Sequence, residues 1–457
     1  MGVRLVNVDR ETPMLLPPDL RDWVPSDHIV HFVLDAVEAL PERDFEMNWR
    51  GSGSEQYPPR MMLALLIYSY ATGRFSSRDI EAASYSDVII RYICGGDQHP
   101  DHDTICTFRR NNRKMFEGAF VKVLLMAKEA KVLKRVGTVA VDGTKVQANA
   151  SKHAAVSYKW AGEQIEFLQE EVKKLMAKAE DADRKPLEDG LKIPKEIRRR
   201  EDRIARLEKA REVIEQRYAE HEKAVQAKKE EDKSERKGKN QRKSPPDEMQ
   251  YNFTDPDSRI MKAGSGQHFE QSYNAQAVVD TGSMLVVGQR VSQKANDKKE
   301  LQADVESVSP AILKVKTVLA DSGFYSEEAV QALEADGKIE VLAAVAKGHH
   351  GMTVAELEKT KDPRAPSAKA PMIDRMKHRL ATKKGKALYR FRKQTVEPVF
   401  GIIKEVMGFR RFSLRGAAKV ATEWALVCLA YNTRRVFSLL SAALKPVGGR
   451  VPVMARS

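Results

Sequence analysis

The chain has 457 residues, 42% hydrophobic and 31% charged, with a formal net charge of +14. That length suits about three domains, and the longest apolar runs, Met61–Tyr70 and Ala425–Tyr431, are too short to span a membrane. Three cysteines (Cys94, Cys106, Cys428) without Cys-x-x-Cys spacing argue against a disulfide framework or zinc module, the N-terminus lacks a secretory signal, and a reduced, cytoplasmic setting is expected.

Residues 1–135 read as a helical domain carrying 18 Lys/Arg against 19 Asp/Glu. Asp27–Val37 places apolar residues at helical spacing. Pro58-Pro59-Arg60 opens a second helix that continues to about Ala71. Ser76–Ile80 caps another, and Asp103–Arg110 opens one that displays Arg109, Arg110, Arg113 and Lys114. Short helices ending in a basic one suit a helix-turn-helix-like unit that binds DNA, with Arg109 and Arg110 as contacts. A helical cap or dimerisation domain would read the same way. Close by, Cys94, His99, His102 and Cys106 have no recognised ligand spacing.

From Val136 the pattern turns to strands, beginning with Thr138–Thr144. Residues 155–225 then form an insertion: two charged helices, 155–180 and 193–225, with apolar stripes at Ile165, Leu168, Val172 and Leu175, and at Ile197, Ile204, Leu207, Ile214 and Tyr218. Those steps match an antiparallel coiled-coil hairpin turning within Asp181–Pro194. It suits an inter-subunit contact or a DNA clamp equally. Residues 226–264 form a charged linker, lysine-rich and disordered in character over 226–248.

Strands resume at His268–Asp280, and Thr281-Gly282-Ser283 turns into Met284–Val291 as a hairpin. Asp297–Glu300 reads as a capping box opening a helix to about Ala311. A strand ending at Asp321, a helix from Ser326, the strand Ile339–Val345, a loop over Lys347–Lys369, a basic helix around Glu397 and a closing helix Ala418–Leu440 follow. The order predicts an α/β core, a mixed sheet flanked by helices, over 136–154 and 265–445.

Three acids stand out in that order. Asp142 ends the apolar run Thr138–Val141, Asp321 ends Thr317–Ala320, and Glu397 lies in residues 379–415, where 11 Lys/Arg face two acids. Two strand-end aspartates and a distant glutamate can hold two divalent ions, the arrangement that cuts and joins phosphodiesters. Singly, an Asp-Gly after an apolar run is more often a turn. The recurrence, and a basic band that suits a polyanion, favour the site.

The residues then resemble a family, the DDE transposases of bacterial insertion sequences. The resemblance rests on Val141-Asp142-Gly143-Thr144, Tyr273-Asn274-x-Gln276, Val279-Asp280, Asn296-Asp297, Ala320–Tyr325, Val396-Glu397-Pro398-x-Phe400-Gly401-x-x-Lys404, Gly408–Phe412 and Leu414-Arg415-Gly416. Tyr57–Arg110 is similar to the N-terminal domain that accompanies this core. The resemblance implies an RNase H-like fold, catalytic and metal-binding roles for Asp142, Asp321 and Glu397, and two Mg²⁺ or Mn²⁺ ions. It also implies double-stranded DNA as partner, a homodimer on the DNA, and cleavage at terminal inverted repeats followed by strand transfer. Lys404, seven residues after Glu397, fits the family's Tyr–Arg–Glu–Lys signature. The expected Tyr and Arg positions hold Arg390 and Lys393, while Tyr389 and Arg392 lie one place earlier. Arg392, Lys393, Lys404, Arg410 and Arg411 are expected to meet backbone phosphates. Pro398 predicts that Glu397 sits at a helix start or kink. A metal-dependent nuclease or resolvase, or an inactive DNA-binding protein, would share much of this sequence pattern.

Overall fold

The computed structural model describes residues 19–41, 45, 56–133, 137–182, 193–231, 244–262, 268–345, 362–367 and 370–444. Among the described residues seven helices come first: α1 (Leu20–Trp23), α2 (Ile29–Glu38), α3 (Pro59–Ala71), α4 (Ser77–Ser86), α5 (Val88–Ile93), α6 (His102–Asn111) and α7 (Arg113–Glu129). Helix α3 is buried continuously from Met62 to Ala71 and so forms the centre of the group. Asp87 and Asp101 cap α5 and α6, accepting from Ile89 N–H at 2.9 Å and Thr104 N–H at 2.8 Å. The Asp101 cap starts α6 one residue before the expected Asp103. His99 and His102 are turned to Ser84 and Glu81, at 3.1 and 2.8 Å.

Strand β1 (Thr138–Gln147) opens the sheet and leads through β2 (Ala155–Ser157) into α8 (Tyr158–Ala182) and α9 (Ile193–Glu231). These helices pair as a hairpin around Ala161, Ile165, Leu168, Leu207 and Ala210, of which Ile165, Leu168 and Leu207 belong to the stripes read from the sequence. The expected turn within Asp181–Pro194 falls mostly outside the described residues, as do most of the loop over 347–369 and the linker residues 232–243. Helix α9 runs six residues past the expected end, to Glu231. At the hairpin's foot β3 (Gln250–Asn252) pairs with β2, a small sheet that the sequence did not announce.

The main sheet is completed by β4 (Arg259–Lys262), β5 (Phe269–Asp280), β6 (Val286–Ser292), β7 (Thr317–Ala320) and β8 (Glu340–Ala343), with α10 (Leu301–Glu306) and α11 (Glu327–Glu334) between the later strands. Its order is β4-β5-β1-β7-β8, with β6 also on β5. Strands β5 and β6 run antiparallel to their neighbours, while β1, β7 and β8 are parallel. This is an RNase H-like mixed sheet, as expected. The capping-box reading at Asp297 is corrected: α10 begins at Leu301 behind Glu300, which makes no side-chain cap, and ends at Glu306. The Asp297 side chain turns instead to β5.

Helices α12 (Met372–Ala381), α13 (Lys383–Gly401) and α14 (Ala417–Leu444) close the chain. Buried α14 lies between the N-terminal helices and the sheet, its Trp424 donating to the Gln276 carbonyl at 3.0 Å. Glu423 on α14, fully buried, accepts from Tyr70 of α3 at 3.1 Å and from the amides of Ser413 and Leu414 at 2.9 Å. The N-terminal helices and the sheet therefore share one hydrophobic core.

Candidate active site

Parallel pairing of β1 with β7 covers Thr138–Ala140 against Thr317–Leu319 and then stops. Two residues further along both strands stand Asp142 and Asp321. The sheet opens between them, which is where parallel α/β sheets place their ligand sites. Asp142 is not at a strand end, as the sequence suggested. Strand β1 continues to Gln147, held by β5 on its other side. Beyond Ala140 its vacated edge is taken up by the basic segment, with Phe412 N–H donating to the Gln147 carbonyl at 2.8 Å.

Each aspartate also makes the local bond that a turn reading predicts. Gly143 N–H donates to Asp142 at 2.9 Å and Gly323 N–H to Asp321 at 2.8 Å. The site and turn readings are therefore compatible. Gly143 has a second duty: a Cβ there would stand 2.5 Å from the Gln276 amide and 2.8 Å from that of Asn274. Those two amides cross over Gly143 to reach Asp297, Gln276 at 2.8 Å, and Lys145 lies 3.6 Å from the same carboxylate.

Helix α13 brings the third acid. It starts abruptly after α12 because Thr382 caps Gly385 N–H at 3.0 Å, and a Cβ on Gly385 would meet the Arg379 carbonyl at 1.8 Å. Its buried face is Arg392, Thr395, Val396, Val399 and Phe400, one helical stripe. Glu397 projects beside that stripe with half its side chain (54%) exposed. A helix start at Glu397 is corrected: the α-helix runs through Pro398 to Gly401, which leaves Pro398 inside the helix. It then widens into a π-turn, Ile402–Val406, with Met407 N–H bonded to the Ile402 carbonyl at 2.8 Å. This turn swings Lys404 onto β1, where it donates to the Lys145 carbonyl at 2.9 Å.

All three acids meet at one cation. Arg392 Nη2 lies 2.9 Å from Asp142 and 3.5 Å from Asp321, and Nη1 lies 3.4 Å from Glu397. Tyr389, one turn earlier, donates to the carbonyl of Ala320 beside Asp321 at 3.1 Å. Tyr389 and Arg392, displaced by one place from the family spacing, thus both reach the site. Burial pushes the Asp142 carboxyl up to about 6, opposed by Arg392 and reinforced by Asp321. Burial also lowers the Lys404 ammonium.

Three carboxylates from separate elements, already gathered round one positive charge, suit a hard divalent cation. Among the described residues no three His, Cys, Asp or Glu side chains are close enough to hold a metal as they stand. Arg392 occupies the space between them.

The expected DNA contacts divide. Lys393, Arg410, Arg411 and Arg110 are exposed; Arg410 pairs with Glu405, and Arg411 donates to Asn149 at 3.1 Å. Arg109 is corrected. It is 3% exposed, donates to Tyr70 and the Phe75 carbonyl at 2.8 Å each, and lies 3.9 Å from Glu423. That buried network, not solvent, is its environment. Arg392 is likewise withdrawn from solvent, its side chain 10% exposed, and it meets the acids rather than a free surface. Lys145, Asn274, Gln276 and Asp297 were given no role at the site from sequence. The two-residue step Asn274-x-Gln276 was the available signal, since it puts both amides on one strand face.

An RNase H-like sheet with aspartates on adjacent parallel strands and a glutamate on a following helix defines the DDE class of nucleic-acid enzymes. The comparisons agree. Residues 239–433 match the family described as Transposase DDE domain, and residues 18–111 match the Transposase domain (DUF772). The chain belongs to the DDE transposases, with an N-terminal transposase domain ahead of the DDE domain. The DDE match spans Asp321 and Glu397 and begins after Asp142. No curated protein and no solved structure matches the chain.

Proposed function

We propose that this chain is the transposase of a bacterial insertion sequence, binding the element's terminal inverted repeats, cutting at them and joining the freed ends to target DNA. The observation that carries the reading is the convergence of Asp142, Asp321 and Glu397 within 3.5 Å of one guanidinium. Asp142, Asp321 and Glu397 would hold two Mg²⁺ or Mn²⁺ ions. Bound there, such ions lower the pKa of an attacking water or 3′-hydroxyl and stabilise the leaving oxygen.

The protein's own part is to hold and neutralise the phosphates. Lys404 and Lys145 flank the acids on β1, while Lys393, Arg410 and Arg411 extend positive charge over the exposed rim. Contacts of this kind set register without reading sequence. Reading of the ends falls to the N-terminal helices, where Arg110 is exposed beside buried Arg109. The organisation is then an end-binding unit over 1–135, a catalytic core over 136–154 and 265–445, the hairpin insertion over 155–225 and a linker over 226–264. The hairpin is the element that would hold two copies together across paired DNA ends. No helix among the described residues is long and apolar enough to cross a membrane, and the site of action would be the cytoplasmic nucleoid.

The test is cleavage of DNA carrying the flanking inverted repeats, followed by detection of joined element–target products. Cleavage without joining would reduce the protein to a nuclease.

A further inference from the structure

Arg392 has an unusual set of neighbours for a structural ion pair. It is one of the most enclosed cations near the sheet, it faces three carboxylates at once, and its Nε is buried with no hydrogen-bond partner. Only its outer nitrogens are used, and only on the acids. On α13 itself Glu397 is the residue paired with it, so the helix fixes where the side chain starts but not where its head must stay.

Resting on the proposed metal-binding reading, we propose that Arg392 competes with divalent cations for the three carboxylates and that a DNA phosphate draws it out of the cluster. The argument is one of charge and space. The guanidinium stands where carboxylates from β1, β7 and α13 converge, and a divalent ion bound by all three must displace it. A displaced guanidinium needs a new anion, and two oxygens of a phosphate group offer the bidentate geometry it prefers. The exposed Glu397 side of the cluster, with Lys393 adjacent, is the side open to such a phosphate. Arg392 is thus a positioning residue. It keeps the acids together, neutralises part of their repulsion, and ties tight metal binding to the presence of DNA. Because linkage is reciprocal, metal must tighten DNA binding by the same factor.

The experiment is Mn²⁺ binding to the full-length protein by electron paramagnetic resonance. It is run with and without a non-specific duplex of about 30 base pairs, roughly three turns, and read alongside circular dichroism. The wild type is expected to bind Mn²⁺ about tenfold or more tightly with duplex present, within the usual range of coupling between sites. Arg392→Gln is expected to bind Mn²⁺ alone about tenfold more tightly than wild type, with the duplex effect reduced. Equal or weaker Mn²⁺ binding by a folded Arg392→Gln would overturn the proposal. So would a wild-type affinity indifferent to DNA, a measurement that needs no variant. Asp142→Asn separates the two ideas. If it binds Mn²⁺ as wild type does, the acids are not the metal site and the functional reading fails as well. If it loses Mn²⁺ while Arg392→Gln gains nothing, the competition alone is wrong.

Discussion

Asp142 and Asp321 stand level on adjacent parallel strands, each two residues past the last paired position, Ala140 with Leu319. Neighbouring strands lie about 4.8 Å apart, so this register alone holds two carboxylates side by side. It does so at the point where the ladder ends and the sheet can admit a ligand. Glu397 completes the group from α13, and substitutions at these positions should act alike. Asp142→Ala, Asp321→Ala and Glu397→Gln are each expected to lower DNA cutting by at least about a thousandfold, some 4 kcal/mol of barrier. DNA binding measured by gel shift should stay near wild type. A variant that cut normally would remove its residue from the proposed metal site.

The buried pair in the N-terminal half gives a contrasting prediction. Arg109→Met leaves Glu423 without its charge partner in the core, a loss of about 3–5 kcal/mol. Arg110→Ala, on an exposed position of the same helix, should leave stability within about 0.5 kcal/mol and weaken DNA binding. Thermal melting and gel shifts of the two neighbours would decide this. Equal melting temperatures would contradict the structural role of Arg109.

The raised Asp142 carboxyl sets a pH dependence. In the folded protein burial keeps its proton on to about pH 6, whereas a free aspartate loses it near pH 3.8. Between these limits the native state binds more protons than the unfolded state, so stability falls as pH rises. Outside the window this group contributes no slope. Asp142→Asn is expected to lose that decline, so its stability relative to wild type should increase from about pH 4 to pH 6. Urea unfolding of both proteins across that range measures it, and parallel curves would refute the assignment.

Gly143→Ala would crowd the Gln276 and Asn274 amides that cross over it. An overpacking cost of about 1–3 kcal/mol is expected, with cutting reduced because Asp142 is the neighbouring residue. Unchanged melting and unchanged cutting would show that the two amides move aside freely.

Much of this arrangement was legible. Strands β1 and β7 read as apolar runs because buried parallel strands are apolar on both faces, and the hairpin showed its seam by spacing. Two kinds of error have physical causes. Arg109 and Arg392 looked like phosphate contacts because each lies in a basic stretch. Yet Arg109 lies four residues after buried Ile105, and Arg392 shares a stripe with Thr395, Val396, Val399 and Phe400. Helical phase, not local charge, decides which cations are buried. The length of β1 past Asp142 was hidden because Gly-Thr-Lys resembles a turn, and the partners that hold it extended, β5 and the segment around Phe412, lie more than a hundred residues later. The same distant pairing gathers Asn274, Gln276 and Asp297 beside Lys145. Nothing local announces that.

The central claim is that the three carboxylates form a metal-dependent DNA-cutting centre. Its most direct test is incubation of wild type and Asp321→Ala with DNA carrying the element's flanking inverted repeats, in Mg²⁺ or in EDTA. The account predicts nicks at the repeat ends with wild type in Mg²⁺ only, and none with the variant. Binding without cutting in either condition, or cutting by Asp321→Ala equal to wild type, would contradict it.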